Sequence, residues 1–163
     1  MSNENYIVIN GKKRQLSEEQ LKLLGVKENP YERVDRNALY YYIDYNCDTY
    51  CAMREAFDCW DTQRYDYANY FNDESFAQQI ALHQLLYRKL LKFAWDNEAG
   101  DVEWDGKNEH YSICYDYYMH YFLVTMRYNV KSADVFFSKK DVAQRAIKEV
   151  IEPFMEVNSE FVW

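Results

Sequence analysis

A faint internal repeat constrains the folding of this chain more than any other feature. Tyr41, Ile43 and Tyr45 in YYIDYN align with Tyr111, Ile113 and Tyr115 in YSICYD. Further on, ANYFNDESFAQQ lies over DVFFSKKDVAQR, which matches Phe71, Ala77 and Gln78 to Phe137, Ala143 and Gln144, with the spacing between the two stretches differing by four residues. Repeated units share one core, so the order of elements in one copy predicts the order in the other. In each copy aromatic strands lead into a capping residue, Asn72 or Ser138, and then into an amphipathic helix. The repeat predicts two β-β-β-α units, 38–98 and 110–156, with strands at 38–45, 48–54 and 64–71 and then at 110–117, 121–129 and 133–137. Single-striped helices against aromatic strands make an α+β fold, helices on mainly antiparallel sheet, with a core over 38–163.

The helix of the first unit, 73–97, carries Phe76, Ile80, His83, Tyr87, Leu90 and Ala94 on one stripe, with Arg88, Lys89 and Lys92 on the far side. That of the second carries Val142, Ala146, Val150 and Phe154, and Pro153 predicts an end or kink near Glu152. Ahead of both units, residues 1–26 read as a hairpin turning at Asn10-Gly11 and a short helix boxed by Ser17 and Gln20 and ended by Gly25. A polar linker, 27–37, follows. Only 4 Gly and 2 Pro in 163 residues leave little material for disordered segments. No apolar run reaches membrane-span length and the start lacks a signal-peptide pattern, so the expectation is a soluble protein of the cytoplasm.

Charge is unevenly spread. The chain has 27 acids against 19 bases, a net charge of −8 and a pI near 4.9. The segments 40–74 and 96–116 together sum to −12, while 75–95 between them is +3. Acids set among aromatic rings suit a protein-binding face, since rings supply contact area and charge supplies steering. The candidate partner-binding residues are Asp58, Trp60, Asp61, Tyr65, Asp66 and Tyr67 in the first acidic segment, and Asp96, Glu98, Asp101, Glu103, Trp104 and Asp105 in the second. A solvated, solubilising surface is the competing interpretation.

Other chemistries find less support. Cys47, Cys51 and Cys59, drawn with Asp48, Asp58 or His110, follow no usual zinc spacing, so no metal is expected; buried filler is the expected role of Cys47 and Cys51, with no need of a disulfide. There is no nucleophile elbow, no phosphate-cradling glycine loop and no cofactor motif. His83 lies in the apolar stripe, where a hydrogen-bonded core histidine is expected. The trio Arg88, Lys89 and Lys92 falls short of the basic stripe that nucleic acid requires.

The stretch YFNDESFAQQIALHQLLYRKLLKFAWDNE, with VFFSKKDVAQRAIKEVIEPFMEV after it and INGKKRQLSEEQLKLLGV before it, resembles small acidic accessory proteins of phages and prophages of low-GC Gram-positive bacteria. The resemblance covers most of the chain and brings no catalytic residue with it. It implies a non-enzymatic, phage-encoded inhibitor of a bacterial defence system, of which anti-CRISPR proteins are the best-populated example. Such a protein would work in the host cytoplasm, binding a CRISPR–Cas effector through the acidic and aromatic face and blocking nucleic-acid binding or cleavage. The alternatives are a phage structural, assembly or regulatory protein, a defence-antagonising enzyme, and a nucleic-acid-binding protein; self-association is compatible with several of them.

Overall fold

The computed structural model describes residues 6–9, 11–23, 29–44 and 49–163. Asn10, Gly25, Tyr45, Cys47 and Asp48 lie outside them. The fold is α+β: the described residues form three separate two-stranded antiparallel ribbons with helices between and across them.

The first ribbon is β1 (Tyr6–Ile9) with β2 (Lys12–Gln15), followed by α1 (Glu18–Leu23). The Ser17 hydroxyl accepts from the Gln20 N–H at 3.3 Å while the Gln20 carboxamide oxygen accepts from the Ser17 N–H at 2.9 Å, the reciprocal box the sequence predicts. The ribbon is exposed along nearly its whole length.

The second ribbon pairs β3 (Leu39–Tyr42) with β4 (Cys51–Arg54), the third β5 (His110–Asp116) with β6 (Tyr121–Arg127). Each is joined by one further backbone segment at the positions the repeat aligns. Tyr41 and Phe71 exchange hydrogen bonds of 2.7 and 2.8 Å, and Tyr111 and Phe137 exchange a pair at 2.8 Å. Three residues after each bridge a helix begins, α3 (Glu74–Asp96) in the first half and α4 (Lys140–Ala146) in the second.

The predicted third strands are corrected to these single bridges. Residues 64–66 belong to an unforeseen helix, α2 (Cys59–Asp66), and 133–137 contributes only Phe137 to pairing. Asp58 explains the helix. Its carboxylate accepts from the N–H groups of Trp60 and Asp61 at 2.8 and 2.9 Å, and Asp61 returns the box, which outweighs the strand-like alternation of RYDYANYF. The predicted caps move by one residue. Asp73 caps α3, accepting from the Phe76 N–H at 2.7 Å, and Lys139 stands at the start of α4 with no side-chain cap. Asn72 and Ser138 instead lace the chain to earlier loops, their N–H groups donating to the carbonyls of Pro30 and Ala99.

The last helix does not stop at Pro153. Five residues, Ile147–Ile151, wind as a π-helical turn, and α5 (Glu152–Val157) continues beyond it. Proline has no N–H, so it leaves a carbonyl one turn back unpaired and crowds it; the wider turn accommodates both. The extra residue shifts the buried face, so Ile151 is fully buried and Val150 only partly.

The main core gathers Leu82, Leu86, Leu90 and Ala94 of α3 against Tyr111, Ile113, Phe137 and the buried side of α4. His83 and Tyr87 fall outside it: His83 is exposed, its ring edge-on to Phe161 at 4.7 Å. A second, smaller core consists of Tyr40, Tyr42 and Tyr70. Cys51 is disulfide-bonded rather than a free filler, whereas Cys59 is an exposed free thiol.

Glu55, fully buried, locks the smaller core. Its carboxylate receives the Arg33 guanidinium twice, at 3.0 and 3.2 Å, the Tyr70 hydroxyl at 2.7 Å and the Phe57 N–H at 2.7 Å. Removing one member strands a charge in a dry site. Arg33→Ala should lower the unfolding free energy by about 3 kcal/mol, read by chemical denaturation at neutral pH, whereas the surface change Arg36→Ala should have little effect.

Candidate interaction surface

The smaller core fixes α2 from its inner side. Asp61 is buried and accepts from the Tyr40 hydroxyl at 2.6 Å and the Ala56 N–H at 2.7 Å. Burial alone would raise its carboxyl pKa; the hydrogen bonds from Tyr40 and Ala56 outweigh that and hold it below the ordinary carboxylate range. Arg64 donates to the Tyr40 hydroxyl at 2.6 Å and lies 3.8 Å over the Tyr42 ring. Tyr40 in turn stacks on Tyr70 at 4.1 Å.

With Asp61 and Arg64 turned inward, helical spacing sends Trp60, Gln63 and Tyr67 along one outer stripe, with Cys59 and Asp66 beside it. Trp60 is 65% exposed and Tyr67 74%, with Phe57 next to them at 48%. Phe57, Asp58, Cys59, Gln63, Asp66 and Tyr67 border a shallow depression of about 360 Å3. Tyr65 is partly structural, its ring edge-on to Tyr70 at 5.5 Å.

The second acidic segment has a different character. Trp104 is stacked on the fully buried His110 at 3.7 Å, and its indole N–H donates to Asp101 at 2.9 Å. The same carboxylate meets His110 Nδ1 at 2.9 Å and Lys131 Nζ at 3.0 Å. His110 Nε2 is buried with no hydrogen-bond partner among the described residues. Asp105 closes a turn by accepting from the N–H groups of Asn108 and Lys107, which depresses its pKa. Asp96 is ion-paired with Lys92, while Glu98 and Glu103 are exposed.

The twelve candidate residues therefore divide. Trp60 is exposed on α2, Asp66 and the C-cap Tyr67 border the depression at its end, and Asp58 stands at its head as the helix cap. Asp61, Asp101 and Trp104 instead hold the fold, Tyr65 does so in part through its ring contact with Tyr70, and Asp96, Glu98, Glu103 and Asp105 lie in the second acidic segment, outside α2. Phe57 and Cys59 belong to the α2 face and escaped sequence reading, although the cap at Asp58 was the signal that placed them there.

Among the described residues, no group of three or more His, Cys, Asp and Glu is arranged to hold a metal ion, and no helix is long and apolar enough to cross a membrane. No protein family, curated protein or solved structure matches the chain.

Burial would push the Asp101 carboxyl pKa upward, but hydrogen bonds from Trp104, Lys131 and His110 more than offset it, and the group titrates below the usual range. A carboxyl depressed in the folded state contributes stability that is complete above its unfolded pKa of about 4 and is lost as pH falls through the folded value. Asp101→Asn should therefore destabilise at pH near 7 and shrink the difference in denaturation midpoint between neutral and acidic pH. An unchanged pH dependence would show that the carboxylate contributes nothing through this linkage.

Proposed function

We propose that the chain is a non-enzymatic, phage-encoded inhibitor of a bacterial defence nucleoprotein, an anti-CRISPR protein that binds a Cas effector through the outer face of α2. One observation carries this reading: Trp60 and Tyr67 stand exposed beside Asp66 on a helix whose inner face is fastened by buried hydrogen bonds. Rings carried on a backbone that is already fastened require less of the chain to be ordered on binding, which favours an aromatic anchor. The acid beside them supplies steering towards a basic surface, such as the channel in which an effector holds nucleic acid. In this reading the loop 101–105 is structural and the binding anchor is Trp60.

The test titrates the purified protein against a panel of reconstituted Cas effectors, reading target-DNA binding and cleavage. At least one should be inhibited stoichiometrically. Trp60→Ala should weaken that inhibition by at least tenfold, a loss of about 1.4 kcal/mol or more, and Asp66→Lys should weaken it chiefly at low salt. The triple change of Arg88, Lys89 and Lys92 to Ser should leave inhibition near the wild-type level. Inhibition at substoichiometric amounts with multiple turnover would replace the binding model with an enzymatic one, and inhibition unaffected by Trp60→Ala would remove α2 as the interface.

A further inference from the structure

Among the described residues the outer edge of β6 is unpaired. Tyr111 turns both its N–H and its C=O away from β6, towards Phe137, and Met126 stands opposite Tyr111 in the register. Antiparallel pairs alternate, so Met126, Val124 and Phe122 each direct an N–H and a C=O away from β5. Among the described residues nothing accepts from or donates to those groups. Along this edge, between β6 and the face of α4 with its π turn, lies the most voluminous groove described in the molecule, about 1040 Å3.

Exposed edges of this length are usually blunted by a proline, a bulge or an inward charge. β6 has none of these: its seven residues, YFLVTMR, pair with β5 without a break, and its one charge is Arg127 at the end. The edge is therefore available to another strand, and its composition identifies which strand fits.

We propose that β6 pairs antiparallel with β6 of a second copy of this chain, about a two-fold axis at Val124. In that register Val124 meets its counterpart and Phe122 meets Met126, so all six outward backbone groups of each copy are satisfied at once. Arg127 comes opposite the second copy's Tyr121, a cation over a ring, and no like charges meet along the strand. Charge on the groove wall points to the same occupant. Arg145 on this wall is paired with Glu149, and the remaining Lys140 and Lys148 are matched in number by Asp141 and Glu152, none of these four being ion-paired among the described residues. A wall balanced in sign is self-complementary, as an isologous interface requires, whereas an acidic or basic peptide would select for one sign. The two ribbons then form one four-stranded sheet, with α4 of both copies on the same face.

Sedimentation velocity of the full chain over a wide concentration range tests this. The wild type should show a reversible monomer–dimer equilibrium. Val124→Pro removes the central outward N–H, and Met126→Lys places a charge on the edge at an exposed position; neither removes a bond between β5 and β6. Each should raise the dimer dissociation constant by at least about tenfold. Met126→Lys decides the matter alone if Val124→Pro compromises folding. Register is tested by Val124→Cys in a Cys59→Ser background. Hydrogen-bonded partners have Cα atoms about 5.5 Å apart, within disulfide reach, so mild oxidation should link residue 124 to itself. A wild type that is monomeric throughout overturns the proposal, even if another protein's strand is found on this edge. So does a dimer indifferent to both edge variants, and a dimer that fails to cross-link at residue 124 overturns the register.

Discussion

Two single backbone bridges, Tyr41 to Phe71 and Tyr111 to Phe137, hold this fold in order. A two-stranded ribbon has too little apolar surface to stand alone in water. Each bridge adds a third backbone segment to a ribbon and releases the chain three residues later into a helix, so strand pairing fixes where the helix starts. α3 then runs for 23 residues. Its first turns meet β3, where the Tyr41 and Tyr50 hydroxyls both reach Glu74, and its later turns enter the core of the second half through Leu86, Leu90 and Ala94. One helix thereby carries the first bridge into the packing governed by the second.

The halves are stabilised by different physics despite that shared geometry. The second buries aliphatic and phenylalanine side chains, and its cohesion is mainly the removal of apolar surface from water. The first buries tyrosines, each with a hydroxyl that must be satisfied. The Tyr40 hydroxyl donates a hydrogen bond to Asp61 and the Tyr70 hydroxyl donates one to Glu55, and Arg64 and Arg33 compensate the two carboxylates. Burial, and then those carboxylate acceptors, push both hydroxyl pKa values well above the ordinary phenol range. Such a network is costly to break and specifies one geometry, because each group is expensive to leave unpaired. It accounts for acids that charge counting alone would assign to a surface.

What could be read from the sequence follows from how local each determinant is. The Ser17–Gln20 box and the two strands of the third ribbon depend on residues close in sequence, and were legible. The repeat aligned the residues that form the bridges but predicted full third strands in their place. α2 was not legible, because alternating tyrosines mimic a strand while the cap that decides the matter lies several residues earlier, at Asp58. The buried face of the last helix is legible at Val142, Ala146 and Phe154 and missed by one residue at Val150, where Ile151 is buried instead, since a 3.6-residue period has no place for the turn that Pro153 imposes. Nothing local could reveal that Asp61 points inward, because its partner Tyr40 lies 21 residues away and only the fold brings them together; Asp101 has a near partner in Trp104, but the buried His110 and Lys131 that complete its site lie 9 and 30 residues away.

Phe57 links the buried network to the proposed binding face. Its φ of 58° places a bulky residue in the left-handed region, a conformation that costs about 1–3 kcal/mol and persists only where the surroundings enforce it. Two contacts do so: the buried Glu55 carboxylate accepts from the Phe57 N–H at 2.7 Å, and the Arg33 guanidinium, held by the same carboxylate, lies 4.7 Å from the ring. The strain leaves the ring half exposed at the head of α2, next to the cap that starts the helix. A residue free to relax would turn its ring away and alter the direction in which the chain enters the cap. The carboxylate that binds the interior together is therefore also what presents the aromatic surface, and the shape of that surface is set from inside the smaller core.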